Sequence, residues 1–278
     1  MHYSIVFFGT DKFPAIVLDE LKKAGLLPTL IITAPDRKKG RGMKLTSPLV
    51  KLWAQENGIE CLQPETLDGH VISTLNTKPH ALFIVAAYGK ILPKGLLQVP
   101  EYGVLNVHPS LLPRLRGASP IRSTILNDEK ETGVSIMLVD EKIDHGPIVA
   151  QEKVTVEDWP PRASELEEAL ARKGGALLAE VLPKWIEGKI TSHEQEHENA
   201  TFSKKIRRED GLIDLNGDAY QNLLKIRAFD GWPGTYFFVG GKRIKITDAE
   251  VRDGKLEILR VIPEGKKEMS YKTFLKTI

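Results

Sequence analysis

Short apolar runs alternate with amphipathic ones over the first 188 residues, and nothing else constrains the fold of this chain as much. Tyr3 to Phe8 (YSIVFF) is apolar over the length of a buried strand. FPAIVLDELKKAG follows with helical spacing, Pro14 near its start and Gly25 past its end. PTLIITA reads as a second strand. SPLVKLWAQENG reads as a second helix, with Ser47 as N-cap, Pro48 at N1 and Gly58 as the stop. IECL and ALFIVAA are strands around a helical segment near 67–76. TGVSIMLV and PIVAQEKVTV add further strands, and the amphipathic stretch from Ser164 to Glu187 closes the series. Such alternation implies an α/β, Rossmann-like, mostly parallel, doubly wound sheet.

Gly188 to Thr201 (GKITSHEQEHENAT) is polar and aperiodic and reads as a linker. The expected organisation is therefore a large domain over 1–188, a linker over 189–203 and a small domain over 204–278. In the last part DAYQNLLKIRAF has helical spacing, while GTYFFVGGKRIKITDAEV and KLEILRVI are strand-like, with Gly240-Gly241 as a hairpin signal. A shortened, OB-like β-barrel is expected there, since few strands are available. Charge divides along the same line. Residues 201–278 carry 16 Lys and Arg against 11 Asp and Glu, and residues 1–200 carry 23 against 26. A basic module attached to a slightly acidic body suggests a polyanionic partner; a solvated basic face is the plainer alternative.

Several classes are disfavoured. Cys61 is the single cysteine, which excludes an intrachain disulfide and a multi-cysteine metal site. In GIECLQP it reads as a small buried hydrophobe rather than a nucleophile. No apolar stretch approaches a membrane span, and Tyr3–Phe8 reads as a strand rather than a leader, so a cytoplasmic protein without membrane attachment is expected. A dinucleotide site needs three spaced glycines after the first strand, where this chain has only Gly9, so NAD is not expected. His193 and His197 are four apart but fall in the linker, and no histidine spacing argues for a metal.

Val104 to His108 is a strand-like run that stops at Pro109, and it ends on an amide and an imidazole. Residues two apart on a strand share a side, so Asn106 and His108 project together from its carboxyl end, where open α/β sheets bind ligands. Two donors aimed at one point suit a developing oxyanion; for an isolated pair, tying down the next loop is the commoner use. SLLPRLRGASPI (Ser110–Ile121) is stiffened by Pro109, Pro113 and Pro120 and can turn at Gly117, a form suited to a flat heterocycle. Arg114 and Arg116 add positive charge beside it. VDEKIDHGPI (Val139–Ile148) places Asp144 just before a turn, a carboxylate able to orient an imidazole, favour its charged form and accept a proton. Asp140 and Glu141 read as solvent-exposed. APDRKKGRGMKLTSP (Ala34–Pro48) holds Arg37, Lys38, Lys39, Arg41 and Lys44 against Asp36 alone. With Gly40 and Gly42 it reads as a flexible basic loop at the ligand edge, suited to a phosphate backbone or a nucleic-acid end. A solvated charge run is the alternative.

Together these pieces resemble the methionyl-tRNA formyltransferases over nearly the whole chain. NVHPSLLP (Asn106–Pro113), Arg116-Gly117 and the distant Asp144 form a set shared by the 10-formyltetrahydrofolate-dependent formyltransferases, including those acting on glycinamide ribonucleotide and sugar amines. PDRKKGRGMKLTSP resembles the acceptor-site loop of the tRNA-formylating branch. AFDGWPGTYF (Ala228–Phe237) is similar to the start of a C-terminal domain shared with the sugar enzymes, and GKKEMSYKTFL (Gly265–Leu275) to the end of the tRNA enzymes.

The resemblance implies formyl transfer from 10-formyltetrahydrofolate to the amino group of methionyl initiator tRNA, without a metal. It implies an oxyanion held by Asn106 and protonated His108, with Asp144 keeping His108 charged and helping the amine proton across. Ser110, Leu111, Leu112 and Pro113 would contact the folate, with Tyr88, Gly89, Ile91 and Leu92 lining its pocket. Arg37, Lys38, Lys39, Arg41 and Lys44 would meet the tRNA, Arg41 entering the acceptor stem, while the C-terminal module holds the backbone. A monomer is expected. Three positions depart from the family pattern: Lys142 where a glycine is usual, His145 in place of a small hydroxyl residue, and a C-terminal barrel lacking a strand pair between ITDAEV and LEILRVI. A sugar-nucleotide N-formyltransferase and a non-catalytic RNA-binding protein on the same scaffold are the rival readings.

Overall fold

A computed structural model describes residues 3–39, 42–77 and 79–278 of the 278-residue chain. The first elements are β1 (Ile5–Phe8), α1 (Lys12–Lys23), β2 (Leu30–Ile32), β3 (Arg37–Lys39), β4 (Lys44–Thr46), α2 (Leu49–Glu56), β5 (Glu60–Leu62) and α3 (Gly69–Asn76). Next come β6 (Leu82–Val85), α4 (Lys94–Leu97), β7 (Val104–His108), β8 (Arg116–Gly117), α5 (Pro120–Leu126), β9 (Thr132–Leu138), β10 (Ile148–Val154) and α6 (Ala163–Ile186). The chain ends with β11 (Phe202–Ser203), α7 (Ala219–Ala228), β12 (Thr235–Val239), β13 (Lys242–Arg252), β14 (Lys255–Pro263), β15 (Met269–Ser270) and α8 (Tyr271–Leu275).

Seven strands form one sheet in the order β10-β9-β7-β6-β1-β2-β5. Pairings from β5 through β2, β1 and β6 to β7 are parallel, and β9 joins β7 antiparallel. The mostly parallel sheet expected from the alternation is therefore present. Its central strands β1, β2 and β6 are covered on both faces, which is why they read as unbroken apolar runs. Val6, Phe8, Leu30, Ile32, Phe83 and Val104 share one core cluster with Leu96 of α4. Helix α1 buries Phe13, Val17, Leu18 and Leu21, the stripe that its spacing predicts. Helix α6 carries two glycines in its interior, where they are poor helix formers. A Cβ on Gly174 would stand 2.7 Å from Val107 Cγ1, so glycine here lets the helix come against β7.

Compactness divides the chain into two units. One comprises 1–116, 133–154 and 168–201; the other comprises 117–132, 155–167 and 202–278. The second unit thus gathers two segments that precede residue 188 in sequence. In it α5 packs on α7, and β12, β13, β14 and β15 form an antiparallel sheet in that order. Ile226 of α7, Phe237, Ile244, Ile246, Val261 and Phe274 make its core. Arg162 pairs with Asp248 at 2.5 Å, tying segment 155–167 to β13. The turns Gly240-Gly241 and Asp253-Gly254 have both central residues at positive φ, as two-residue hairpins require. The second of these turns joins β13 directly to β14, so the shortened module is a four-stranded sheet.

Three local readings change. Ser47 does not cap α2: Pro48 holds the N-cap position, and Ser47 Oγ donates to Asp36 Oδ2 at 3.2 Å instead. The stretch read as a flexible loop contains an antiparallel hairpin, with Arg37 opposite Thr46, Lys38 opposite Leu45 and Lys39 opposite Lys44. Arg41 lies outside the described residues. The stretch read as a linker pairs at His193 with Ile148, through backbone bonds of 2.8 and 2.9 Å.

Candidate active site

Strand β7 delivers Asn106 and His108 to the carboxyl edge of the sheet, and antiparallel β9 sets Ser135 opposite His108. Asp144 meets them from the loop after β9, in the left-handed region at φ +47°. Asn106 Nδ2 donates to Asp144 Oδ1 at 3.4 Å, and His108 Nδ1 lies 3.7 Å from the same oxygen. The second distance is beyond a hydrogen bond but well within ion-pair range. His108 is only 4% exposed, and its Nε2 donates to the Leu115 carbonyl at 3.0 Å. A carbonyl can only accept, so Nε2 carries a hydrogen and Nδ1 is the nitrogen turned to the carboxylate. Both neighbours of the ring are acceptors, and a ring with hydrogen on both nitrogens would serve both.

The loop from Ser110 to Arg116 is fastened from beneath. Ser110 Oγ donates to the Arg114 carbonyl at 2.6 Å, and Ser135 Oγ donates to the Ser110 carbonyl at 2.6 Å. Leu112 N–H donates to Ser135 Oγ, and Gln151 Nε2 donates to the Leu112 carbonyl. Leu112 itself is buried with Met137 and Ile148. Leu111 and Pro113 remain half-buried. Leu115 sits at φ +56°, a conformation that costs a non-glycine residue and is held here by its partners.

Those partners come from residues 193–201. Thr201 Oγ1 accepts from Leu115 N–H at 2.8 Å, and the Thr201 carbonyl accepts from Arg116 N–H at 2.9 Å. Gln195 Oε1 accepts from Arg116 Nε and Nη2 at 3.1 and 2.7 Å. Gln195 Nε2 donates to the carbonyls of Asp144 and Gly146 at 3.1 and 2.7 Å. Arg116 Nη2 also donates to His197 Nδ1 at 2.9 Å. His197 stacks on His145, with centroids 4.1 Å apart, and His145 Nδ1 donates to Asp140 Oδ2 at 2.6 Å. Burial lowers the pKa of the Arg116 guanidinium, while the charges of Asp144 and Asp140 pull it back up. Asp140, expected to be merely solvated, instead orients His145 and also accepts from Lys142 N–H.

A cavity of about 340 Å³ opens where the ends of β1, β2 and β6 diverge, the switch point at which open α/β sheets bind ligands. Thr10, Asp11, Ala34, Pro35, Ala87, Tyr88, Gly89 and Lys90 line it, with Arg37 and Thr46 of the hairpin. Burial pushes the Tyr88 phenol up to about 12. Ile91 is 78% exposed, whereas Leu92 belongs to the core beneath. At the neck of the hairpin, Lys51, Gln63 and Ser47 all donate to the Asp36 carboxylate. These bonds, Lys51 foremost, hold its carboxyl below the ordinary 3.8. The one acid in the basic stretch is thus engaged at the neck by Lys51, Gln63 and Ser47.

In the second unit, a separate cavity of about 780 Å³ is lined by Lys204, Lys205, Arg207 and Lys225 with exposed Phe202 and one acid, Asp210. Elsewhere, burial pushes the Cys61 thiol up to about 11, in keeping with an unreactive side chain. Among the described residues, no group of three His, Cys, Asp or Glu could hold a metal ion, and no helix is long and apolar enough to cross a membrane.

Sequence reasoning found Asn106, His108 and Asp144, which the fold brings together, and Tyr88, Gly89 and Arg37, which line the cavity. It missed Ser135, Gln151, Gln195 and Thr201. Only Gln195 left a trace in the sequence: in HEQEH the charged Glu194 and Glu196 alternate with His193, Gln195 and His197, a period of two.

Comparison with known proteins gives a consistent result. A formyl transferase family model matches residues 3–182, and the model of a formyl transferase C-terminal domain matches 205–255. The methionyl-tRNA formyltransferase of Thermodesulfovibrio yellowstonii is 37% identical over 99% of this chain and 96% of its own length. That of Chloroflexus aurantiacus is 43% identical over 89% of this chain and 80% of its own length. Among solved structures, a methionyl-tRNA formyltransferase from Clostridium thermocellum superposes with a TM-score of 0.63 at 18% identity, covering 94% of this chain and 98% of that one. A 4-N formyltransferase from Francisella tularensis superposes with a TM-score of 0.68 at 19% identity, covering 93% and 100%. At these identities the superpositions speak to the fold alone.

Proposed function

The chain belongs to the formyl transferase family, and from that premise we propose that it moves the formyl group of 10-formyltetrahydrofolate to the amino group of methionine esterified to initiator tRNA. The observation that carries this reading is the meeting of Asn106, His108 and Asp144 at the carboxyl edge of the sheet. The neutral amine attacks the formyl carbon, and the carbonyl oxygen becomes an oxyanion. Asn106 offers it the second hydrogen of Nδ2. His108 offers Nδ1–H, because its Nε2–H is already given to Leu115. Collapse breaks the bond from the formyl carbon to N10. Asp144, through water, takes the proton that the amine loses and returns one to N10, so no proton is gained or lost. A preorganised donor of this kind contributes about 3 kcal/mol, so Asn106→Ala should lower kcat on the order of a hundredfold.

The donor is a substrate here, and the protein has surface to receive it. Tyr88 and Gly89 line the cavity, exposed Ile91 offers an apolar face beside them, and Leu92 supports it from the core. Of the four residues Ser110 to Pro113, Leu111 and Pro113 supply the contact, since the Ser110 hydroxyl and the Leu112 peptide groups have partners. Arg37, Lys38, Lys39, Arg41 and Lys44 meet the tRNA end, and the basic cavity of the second unit follows its backbone. The protein works as a cytoplasmic monomer, with 1–188 as its catalytic domain, 189–203 as the connection and 204–278 as the tRNA-binding module.

Labelled donor supplied with methionyl initiator tRNA or with amino-sugar nucleotides tests the reading. Label on the tRNA is expected; label only on a sugar would move the chain to the sugar enzymes, and label on neither would favour a binding protein. His108→Ala should lose turnover and retain tRNA in a filter-binding assay. Full turnover in that variant would remove His108 from the mechanism.

A further inference from the structure

Gln195 falls in a stretch whose sequence reads as a connection, yet its side chain is 5% exposed and makes four hydrogen bonds. Its oxygen takes two from Arg116. Its nitrogen gives one each to the carbonyls of Asp144 and Gly146. Two bonds accepted by the oxygen and two donated by the NH₂ fix the orientation of the carboxamide. Turned over, it would set NH₂ against a guanidinium and oxygen against two carbonyls.

We infer that Gln195 is a positioning residue for Asp144, an assignment that rests on the formyl-transfer reading. The two carbonyls it holds lie on either side of His145, in a loop with little other latitude. Asp144 is at φ +47°, and a Cβ on Gly146 would stand 2.1 Å from the Leu138 carbonyl, so the chain passes β9 where only glycine fits. Fixing these peptide planes fixes where the Asp144 carboxylate stands against Asn106 and His108. Arg116 in turn fixes Gln195, and the His193–Ile148 pairing two residues earlier brings the segment under the loop. Gln195 touches no reacting atom in the proposed chemistry. It acts through Asp144.

Gln195→Glu tests this. The variant keeps the length of the side chain and still accepts from Arg116, but it sets an oxygen against both carbonyls. Displacement of a catalytic group by about 1 Å costs up to about a hundredfold, so kcat should fall about ten- to a hundredfold. KM for the donor and for charged tRNA should stay within about twofold. In an Asp144→Asn background the same change should cost less than about twofold, because no carboxylate is left to place. Gln195→Met, which fills the space without donors, should behave like Gln195→Glu. Undiminished kcat overturns the assignment, as does an equal loss in both backgrounds or an effect on KM alone. Failure of both variants to fold also overturns it, in favour of a structural role. Absence of transfer by the unmodified chain defeats the functional reading itself, and the inference with it; transfer by the unmodified chain with full kcat in Gln195→Glu defeats the inference alone.

Discussion

Residues 36–48 and 193–201 read alike in sequence: both are polar, both carry charge, and neither has a helical period. In the folded protein they behave as opposites. The first is a hairpin whose strands pair with each other and which Asp36 anchors at its neck to Lys51 and Gln63. The second is stitched along its length to residues far away, His193 to Ile148, Gln195 to Arg116 and Asp144, Thr201 to Leu115. The difference lies in where the partners are. A segment whose bonds close on itself stays available to a substrate, while one whose bonds go to distant loops becomes part of their support. Leu115 shows the consequence: its N–H is held by Thr201 and its carbonyl by His108, so the second segment reaches the imidazole through one peptide unit.

Breaking the stitched segment should have the larger effect. Thr201→Val removes the acceptor of a buried N–H on a residue already in a strained conformation. A loss of about 1–3 kcal/mol is expected in urea unfolding, together with a fall in kcat as the Leu115 peptide shifts under His108. Unchanged stability would mean that the segment does not hold the loop. Breaking the hairpin should act on substrate instead. Arg37→Glu with Lys44→Glu should raise KM for charged tRNA and leave the unfolding midpoint unchanged. Each cation removed should also reduce the salt dependence of binding by about one unit of slope. An equal loss of stability in both segments would erase the distinction between them.

The smallest effect concerns the neck. Asp36 has its pKa depressed in the fold, chiefly by Lys51, so its contribution to stability is present above the ordinary carboxyl value of 3.8 and is lost as pH falls through the folded value. Asp36→Asn should therefore lower the unfolding midpoint slightly at neutral pH, with the gap to the unmodified chain closing in acid. A gap that persists well below pH 3.8 would show that the carboxylate's charge is not what clamps the neck.

Periodicity alone carried the sheet. Within the runs Tyr3–Phe8, PTLIITA and ALFIVAA, the strands Ile5–Phe8, Leu30–Ile32 and Leu82–Val85 are covered on both faces, and a continuous apolar run is the pattern such a parallel strand favours. Asn106 and His108 were legible because a strand of period two ended on hydrogen-bonding side chains, and Asp144 because it stood at a turn. The Asp253-Gly254 turn was not read from the sequence, although an Asp-Gly pair between strand-length runs is a hairpin signal; it joins β13 directly to β14. Ser47 misled because capping is judged from neighbours in sequence. Its hydroxyl went to Asp36, eleven residues away.

The sequence by itself therefore determined the layered sheet and the three side chains that meet at its carboxyl edge, since each follows from local pattern. The tertiary structure decided what holds those side chains. Gln195 lies 79 residues from Arg116 and 51 from Asp144, and Thr201 lies 86 from Leu115. Nothing in the local pattern of the chain names a hydrogen-bond partner at such a distance, because the partners meet only after the sheet has formed.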